Sequence, residues 1–170
     1  MLTTTTAKRS GKRHKKGNSM KITLMPYNSN WLDLFNNEKK LLLEKFGNTF
    51  LSIEHIGSTA IPGILAKPVI DMMIGVADLN QFNQNNIESL KSLGYTYIKE
   101  YEEHLPNRRY FQKNDSDGYR AYQIHLVHYN SAWWQRHILF RDYMRRHRKE
   151  GDAYTQLKLE LTDLLNKGVE

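Results

Sequence analysis

Between Pro68 and Val76 every residue is apolar, Pro or Gly, with one exception, Asp71. So short and so apolar a run suits a buried strand, and a buried strand requires neighbouring strands and helices to cover it. A carboxylate in that setting is costly unless something compensates it. A metal ion, a cationic partner or a strand-end place at a cleft would each do so. A plain salt bridge to Lys67 or to an arginine would serve equally well, without any function.

The remaining chain supplies the cover. A short strand is expected over Lys21 to Met25, ended by Pro26. A helix follows from Asn30 to Phe46, with Ser29 as N-cap and Gly47 as stop. Its apolar stripe is Trp31, Leu34, Phe35, Leu42 and Phe46. Leu51 to Ile56 reads as a strand. Asp78 is placed to cap a helix that turns Leu79, Phe82, Leu90 and Leu93 inward and ends at Gly94. Strand-like runs follow at Tyr95 to Lys99, Arg108 to Lys113 and Arg120 to Tyr129, the last two joined by Asp115, Asp117 and Gly118. Two helices finish the chain. Ser131 caps the first, which buries Trp133, Phe140 and Met144; the second, after Gly151, buries Tyr154, Leu157, Leu161 and Leu164. The pattern predicts an α+β (α/β) single domain, a mixed β-sheet flanked by helices.

Composition excludes more than it assigns. The chain has no cysteine, hence no disulfide framework, thiolate zinc site or cysteine nucleophile. No apolar run approaches a membrane span, and the basic first residues lack a signal peptide's apolar stretch, so a cytoplasmic protein is expected. The net charge of +7 suggests nucleic acid until it is located. Residues 1–19 hold six Lys or Arg and no acid, which leaves 19 basic against 18 acidic side chains in the body. That stretch is expected to be a disordered basic tail, either an arm for RNA or DNA or simply a solvated or artificial extension. The folded domain is expected over residues 20–168, with nucleic acid an improbable partner for it.

The segment with most chemistry runs from His55 to Gly63. A Gly57-Ser58 turn lets backbone N–H groups approach an anion, and the Ser58 hydroxyl adds a donor. Most Gly-Ser pairs are only turns; this one is followed by Lys67 and Asp71. On the later strand, Gln123 and His125 share a face and His128 lies on the other. Arg141, Arg145 and Arg148 form a stripe on one helix, usually a solvated face, from which a guanidinium reaching the cleft would recognise phosphate. Lys158 borders the apolar face of the last helix and could do likewise.

The set His55-Ile56-Gly57-Ser58-Thr59, Pro62-Gly63 and Ala66-Lys67-Pro68-Val69-Ile70-Asp71 resembles the GrpB family of predicted nucleotidyltransferases. Tyr27, Trp31, Phe140-Arg141-Asp142-Tyr143-Met144-Arg145, Tyr154 and Leu157-Lys158 extend the resemblance over Met20 to Lys167. It implies a nucleotidyltransferase-like fold, in which the Gly57-Ser58 turn grips a triphosphate and Asp71 is the first carboxylate of an Asp-x-Asp pair. The second position is Met73, and a thioether is a poor ligand for a hard ion such as Mg²⁺. The family's usual His-x-His pattern falls on Gln123 and His125. The resemblance therefore implies Asp71 and His125 as catalytic and metal-binding residues, with one Mg²⁺. Gly57, Ser58, Thr59, Lys67, Arg109 and Arg141 would bind the nucleotide.

The leading expectation is an enzyme that binds a nucleoside triphosphate and transfers a nucleotidyl group to a small acceptor. The alternative, which Met73 supports, is a diverged member that binds a phosphate-bearing metabolite. A nucleic-acid adaptor is the third option, opposed by the nearly neutral body.

Overall fold

The structure, a computed structural model, describes residues 22–168. The expected basic tail lies outside the described residues. Five strands form one mixed sheet: β1 (Ser52–Ile56), β2 (Ile70–Val76), β3 (Thr96–Tyr97), β4 (Arg108–Asn114) and β5 (Arg120–His128). Their spatial order is β1-β2-β5-β4-β3, with only the β2–β5 pair parallel. Among the described residues four α-helices accompany them: α1 (Asn30–Phe46), α2 (Gln84–Ser92), α3 (Ala132–Arg146) and α4 (Arg148–Asn166). The expected α+β single domain is what the chain forms.

The run that includes Asp71 becomes β2, the second strand of the sheet. Alternation sends Ile70, Met72, Ile74 and Val76 to one face and Asp71 and Met73 to the other. The first face carries the main core. There α1 lays Trp31, Phe35, Leu42 and Phe46 on the sheet, and α2 adds Ile87 and Leu90. Each such side chain contributes about 1.5–3 kcal/mol by leaving water. Glu38 of α1 is also buried on this side, accepting from Tyr95 Oη at 2.9 Å and from Lys113 Nζ at 2.8 Å.

Four local expectations need correction. Over Lys21 to Met25 there is no strand among the described residues, only a bridge between Met25 and Ala66. Asp78 caps a 3₁₀ turn at Leu79–Gln81, and Asn83 caps α2 through a reciprocal capping box with Asn86. Gly151 does not precede the last helix; α4 starts at Arg148, and Gly151 is buried in its first turn, near Ile64. Finally, α3 and α4 bury less than their apolar stripes promised. In α3 it is Trp134 that is buried, while Phe140 of α3 and Leu157, Leu161 and Leu164 of α4 are 42–50 % exposed. These helices lie over the half-open second face, and α4 packs chiefly on α3, so no second layer among the described residues covers them.

Candidate active site

The second face of the sheet is where chemistry gathers. Register places Asp71 of β2 between Ile56 of β1 and Gln123 of β5, and Met73 between Glu54 and His125. Tyr110 of β4 lies beside His125, and Arg108 beside Val127. A strip of alternate residues from four strands thus faces α3.

The turn after β1 is built around Asp71. Gly57 has φ +71°, and a Cβ there would stand 2.3 Å from Asp71 Oδ2. Only glycine meets both the backbone conformation and the approach of the carboxylate. Behind the turn, His55 and Thr59 hold it in place. His55 Nε2 lies 3.1 Å from Thr59 Oγ1, which donates to Val69 O at 3.1 Å, so the imidazole Nε2 carries the proton. The ring stacks on Phe35 with 4.8 Å between centroids. Burial lowers the His55 pKa to about 4, opposed by the charge of Asp71 and helped by Arg145 and Arg141. His55 and Thr59 therefore act as a buttress beneath the turn.

Ser58 meets a cation from the far end of the chain. Lys158 Nζ of α4 donates to Ser58 Oγ at 2.8 Å and also to Leu65 O. Burial lowers Lys158 to about 8, neighbouring Lys67 adds to the drop, and Asp71 opposes it. Lys67 itself is exposed at the mouth of a cleft of about 280 Å³ that Ser58, Asp71, Gln123 and Lys158 also line. Ile22, Leu24, Leu161 and Leu165 form the apolar side of that cleft.

His125 stands beside Asp71, its Nε2 3.6 Å from Oδ1. Its Nδ1 lies 3.1 Å from Arg108 Nη1. A guanidinium can only donate, so Nδ1 accepts and the neutral ring bears its proton on Nε2. This tautomer offers Asp71 a proton and leaves no Nε2 lone pair for a metal ion.

The basic residues expected at the phosphate divide sharply. Arg109 points to the opposite face, donating to Phe82 O and lying 4.0 Å from Glu102. The β4 register pairs it with Leu126, a core residue, and so removes it from the site. Arg141 is buried below the site, bonded to Glu54 at 2.7 Å, Asp142 at 2.8 Å and His55 O at 3.0 Å. Arg145 donates to Ala60 O at 2.9 Å. These two α3 arginines fasten the helix to the strand and turn. His128, on the core-facing side of β5, lies 3.3 Å from Ala77 O.

Met73 explains much of the rest. It is fully buried in an apolar cluster with Ile56, Val127 and Trp134. Glu54 flanks it, but Arg141 occupies that carboxylate. Among the described residues no group of three or more His, Asp or Glu side chains is placed to hold a metal ion.

A family model described as "GrpB protein" matches residues 21–169. The chain belongs to the GrpB family. It is 34% identical over 148 residues to the glutamate-rich protein GrpB of Alkalihalophilus pseudofirmus, covering 86% of this chain and 84% of that one. It is 38% identical over 141 residues to the UPF0157 protein YqkA of Bacillus subtilis, covering 83% of this chain but only 40% of YqkA. The crystal structure of conserved protein GrpB from Enterococcus faecalis superposes with a TM-score of 0.74 at 29% identity, covering 83% of both chains. The mixed sheet and its helices are thus shared with a solved GrpB structure. Among the described residues no helix is long and apolar enough to cross a membrane.

A second cleft, of about 440 Å³, opens on the other side of Asp71. Its wall includes His125, Arg136, His137, Phe140 and Tyr154. Arg136 and His137 escape sequence reasoning, because nothing in a single helical His marks it as facing a cleft. The one available signal is Trp133, four residues earlier, whose ring the imidazole stacks on at 3.5 Å.

Proposed function

We propose that this GrpB protein is nucleotidyltransferase-like. It binds the phosphate chain of a nucleoside triphosphate in the first cleft, with one Mg²⁺ at Asp71, for transfer of a nucleotidyl group to a small acceptor. The observation that carries this reading is the contact of Lys158 with Ser58, beside a turn whose Gly57 lets Asp71 approach. Lys158 and the Ser58 hydroxyl would hold phosphate oxygens, and Lys67 would meet the outer phosphates from the mouth of the cleft. Each replaces water around a charged group with a fixed donor.

The donor set fits a single Mg²⁺ that arrives with its substrate. Mg²⁺ is commonly held by one or two carboxylates, with substrate phosphates and water completing its shell. Asp71 can serve as that carboxylate, and the ion would neutralise charge on the phosphates. A preformed two-ion centre does not fit, because Met73 occupies a dry apolar cluster and Glu54 is paired with Arg141. His125 serves to orient Asp71 through its Nε2–H. The same burial of Met73 favours a second reading, a diverged member that binds a phosphate-bearing metabolite without turning it over.

Calorimetric titration with ATP and Mg²⁺ tests the cleft. Affinity is expected to fall as the pH rises through 8, because an anion binds the protonated Lys158 and deprotonation removes that charge. Lys158→Met should weaken binding roughly ten- to a hundredfold and abolish this pH dependence. Equal affinity in both proteins at pH 7 would remove Lys158 from the site and the nucleotide reading with it.

A further inference from the structure

The second cleft meets the first at Asp71 and Gln123, which line both. Two clefts joined at one carboxylate suit two substrates whose reacting atoms must touch. On the far wall His137 is held in one tautomer: its Nδ1–H donates to Trp133 O at 2.8 Å, and the ring stacks on Trp133. Nε2 therefore keeps its lone pair, and it has no hydrogen-bond partner among the described residues.

We propose that the second cleft is the acceptor subsite and that His137 Nε2 is the base that deprotonates the acceptor, an inference that rests on the nucleotide reading above. The acceptor would carry a hydroxyl or amine on an apolar or aromatic body. Phe140 and Tyr154, packed edge-on with centroids 5.6 Å apart, form the wall for that body. Arg136 stands at the rim for an anionic group. In the step, the acceptor oxygen or nitrogen forms a bond to phosphorus while the bond to pyrophosphate breaks. The electron pair leaves with pyrophosphate, and the acceptor proton passes to His137 Nε2.

The neighbours favour His137 over the alternatives. His125 accepts from Arg108 at Nδ1 and carries its proton on Nε2, 3.6 Å from Asp71, so neither nitrogen can take another, and the carboxylate of Asp71 is assigned to the ion. The groups acting on His137 are Arg108 of β4, His125 of β5 and Arg136 of its own helix, while Asp71 of β2 and Tyr154 of α4 line the same cleft. Burial lowers the His137 pKa, the Trp133 carbonyl opposes this, and the charges of Arg136 and Arg108 add to it. The imidazole is thus neutral near pH 7, as a base must be.

Two measurements on the full chain decide the matter. Long-range ¹H–¹⁵N spectra read histidine tautomers directly, and His137 is expected protonated on Nδ1, titrating below the ordinary histidine range. Pyrophosphate release from ATP and Mg²⁺, with water or added tyrosine as acceptor, reads the chemistry; tyrosine carries a hydroxyl, an amine, an aromatic body and a carboxylate. His137→Gln should keep ATP affinity within about twofold, lower release at least about a hundredfold and remove the acid limb of the pH profile. His137 protonated on Nε2 overturns the proposal. ATP binding with no release, or with equal release in both proteins, overturns it too and leaves the binding reading standing. A wild-type chain that does not bind ATP refutes the nucleotide reading, and the acceptor subsite falls with it.

Discussion

Beneath α1 and α2, residues Ile70, Met72, Ile74, Ile124 and Leu126 exclude water almost completely. On the opposite face of the same strands, Met73 and Val127 are as deeply buried, yet they lie beside Asp71, Gln123 and His125. The difference shows that β2 serves two faces at once: its even-numbered residues pack the main core, and Asp71 on the other side lines both clefts. Core-packing and cleft-lining side chains are thus separated by the period of a strand. The α3–α4 layer, poorly covered and rich in exposed leucines, borders the clefts more than it closes a core.

Truncations on the two faces should break this symmetry most visibly. Ile124→Ala, within the closed face, is expected to cost about 3–4 kcal/mol in denaturant unfolding, through lost burial and a cavity. Phe140→Ala, on the open face, should cost about 1–1.5 kcal/mol, through the half-buried ring and its contact with Tyr154. Similar losses at both positions would mean that α3 and α4 carry the core as well.

Acid should find the seam between the faces. His55 takes a proton near pH 6.5 when unfolded and near 4 when folded. The unfolded chain therefore binds the proton first as pH falls. The stability contribution is whole above 6.5 and is lost between there and about 4, by roughly 3 kcal/mol. Measuring unfolding free energy at intervals over that window checks it; a flat profile would mean His55 protonates without leaving its stack on Phe35.

Gly57→Ala should have a smaller effect on stability and a larger one on binding. The left-handed backbone costs a side chain about 1–2 kcal/mol, and the new methyl must displace Asp71. Loss of ATP affinity out of proportion to the stability change is expected in a paired melt and titration. Unchanged affinity would make Gly57 an ordinary turn residue.

The two faces were also unequally readable in the sequence. The strand Ile70–Val76, the helix Asn30–Phe46 and the Arg108–Asn114 to Arg120–His128 hairpin follow from local periodicity and turn chemistry, because their partners are apolar and close at hand. The pairing of Ser58 with Lys158 joins residues 100 apart, and no local pattern carries such a contact. Helical spacing told which sides of α3 and α4 are apolar but not what lies opposite. Phe140 and Leu161 therefore face a cleft rather than a core. Arg109 misleads for a related reason: neighbouring Arg108 faces the site, and one residue of strand register decides between them.

The most direct measurement is the melting temperature of the wild-type chain and of Asp71→Asn, each with ATP, with Mg²⁺ and with both. For the wild type, both together at a hundredfold excess should add about 2.7 kcal/mol, or roughly 5–10 °C, where either alone does little. Asp71→Asn should melt unliganded close to the wild type and lose the joint shift. A variant that keeps the shift would place the ion and the phosphates elsewhere and contradict the assignment of Asp71.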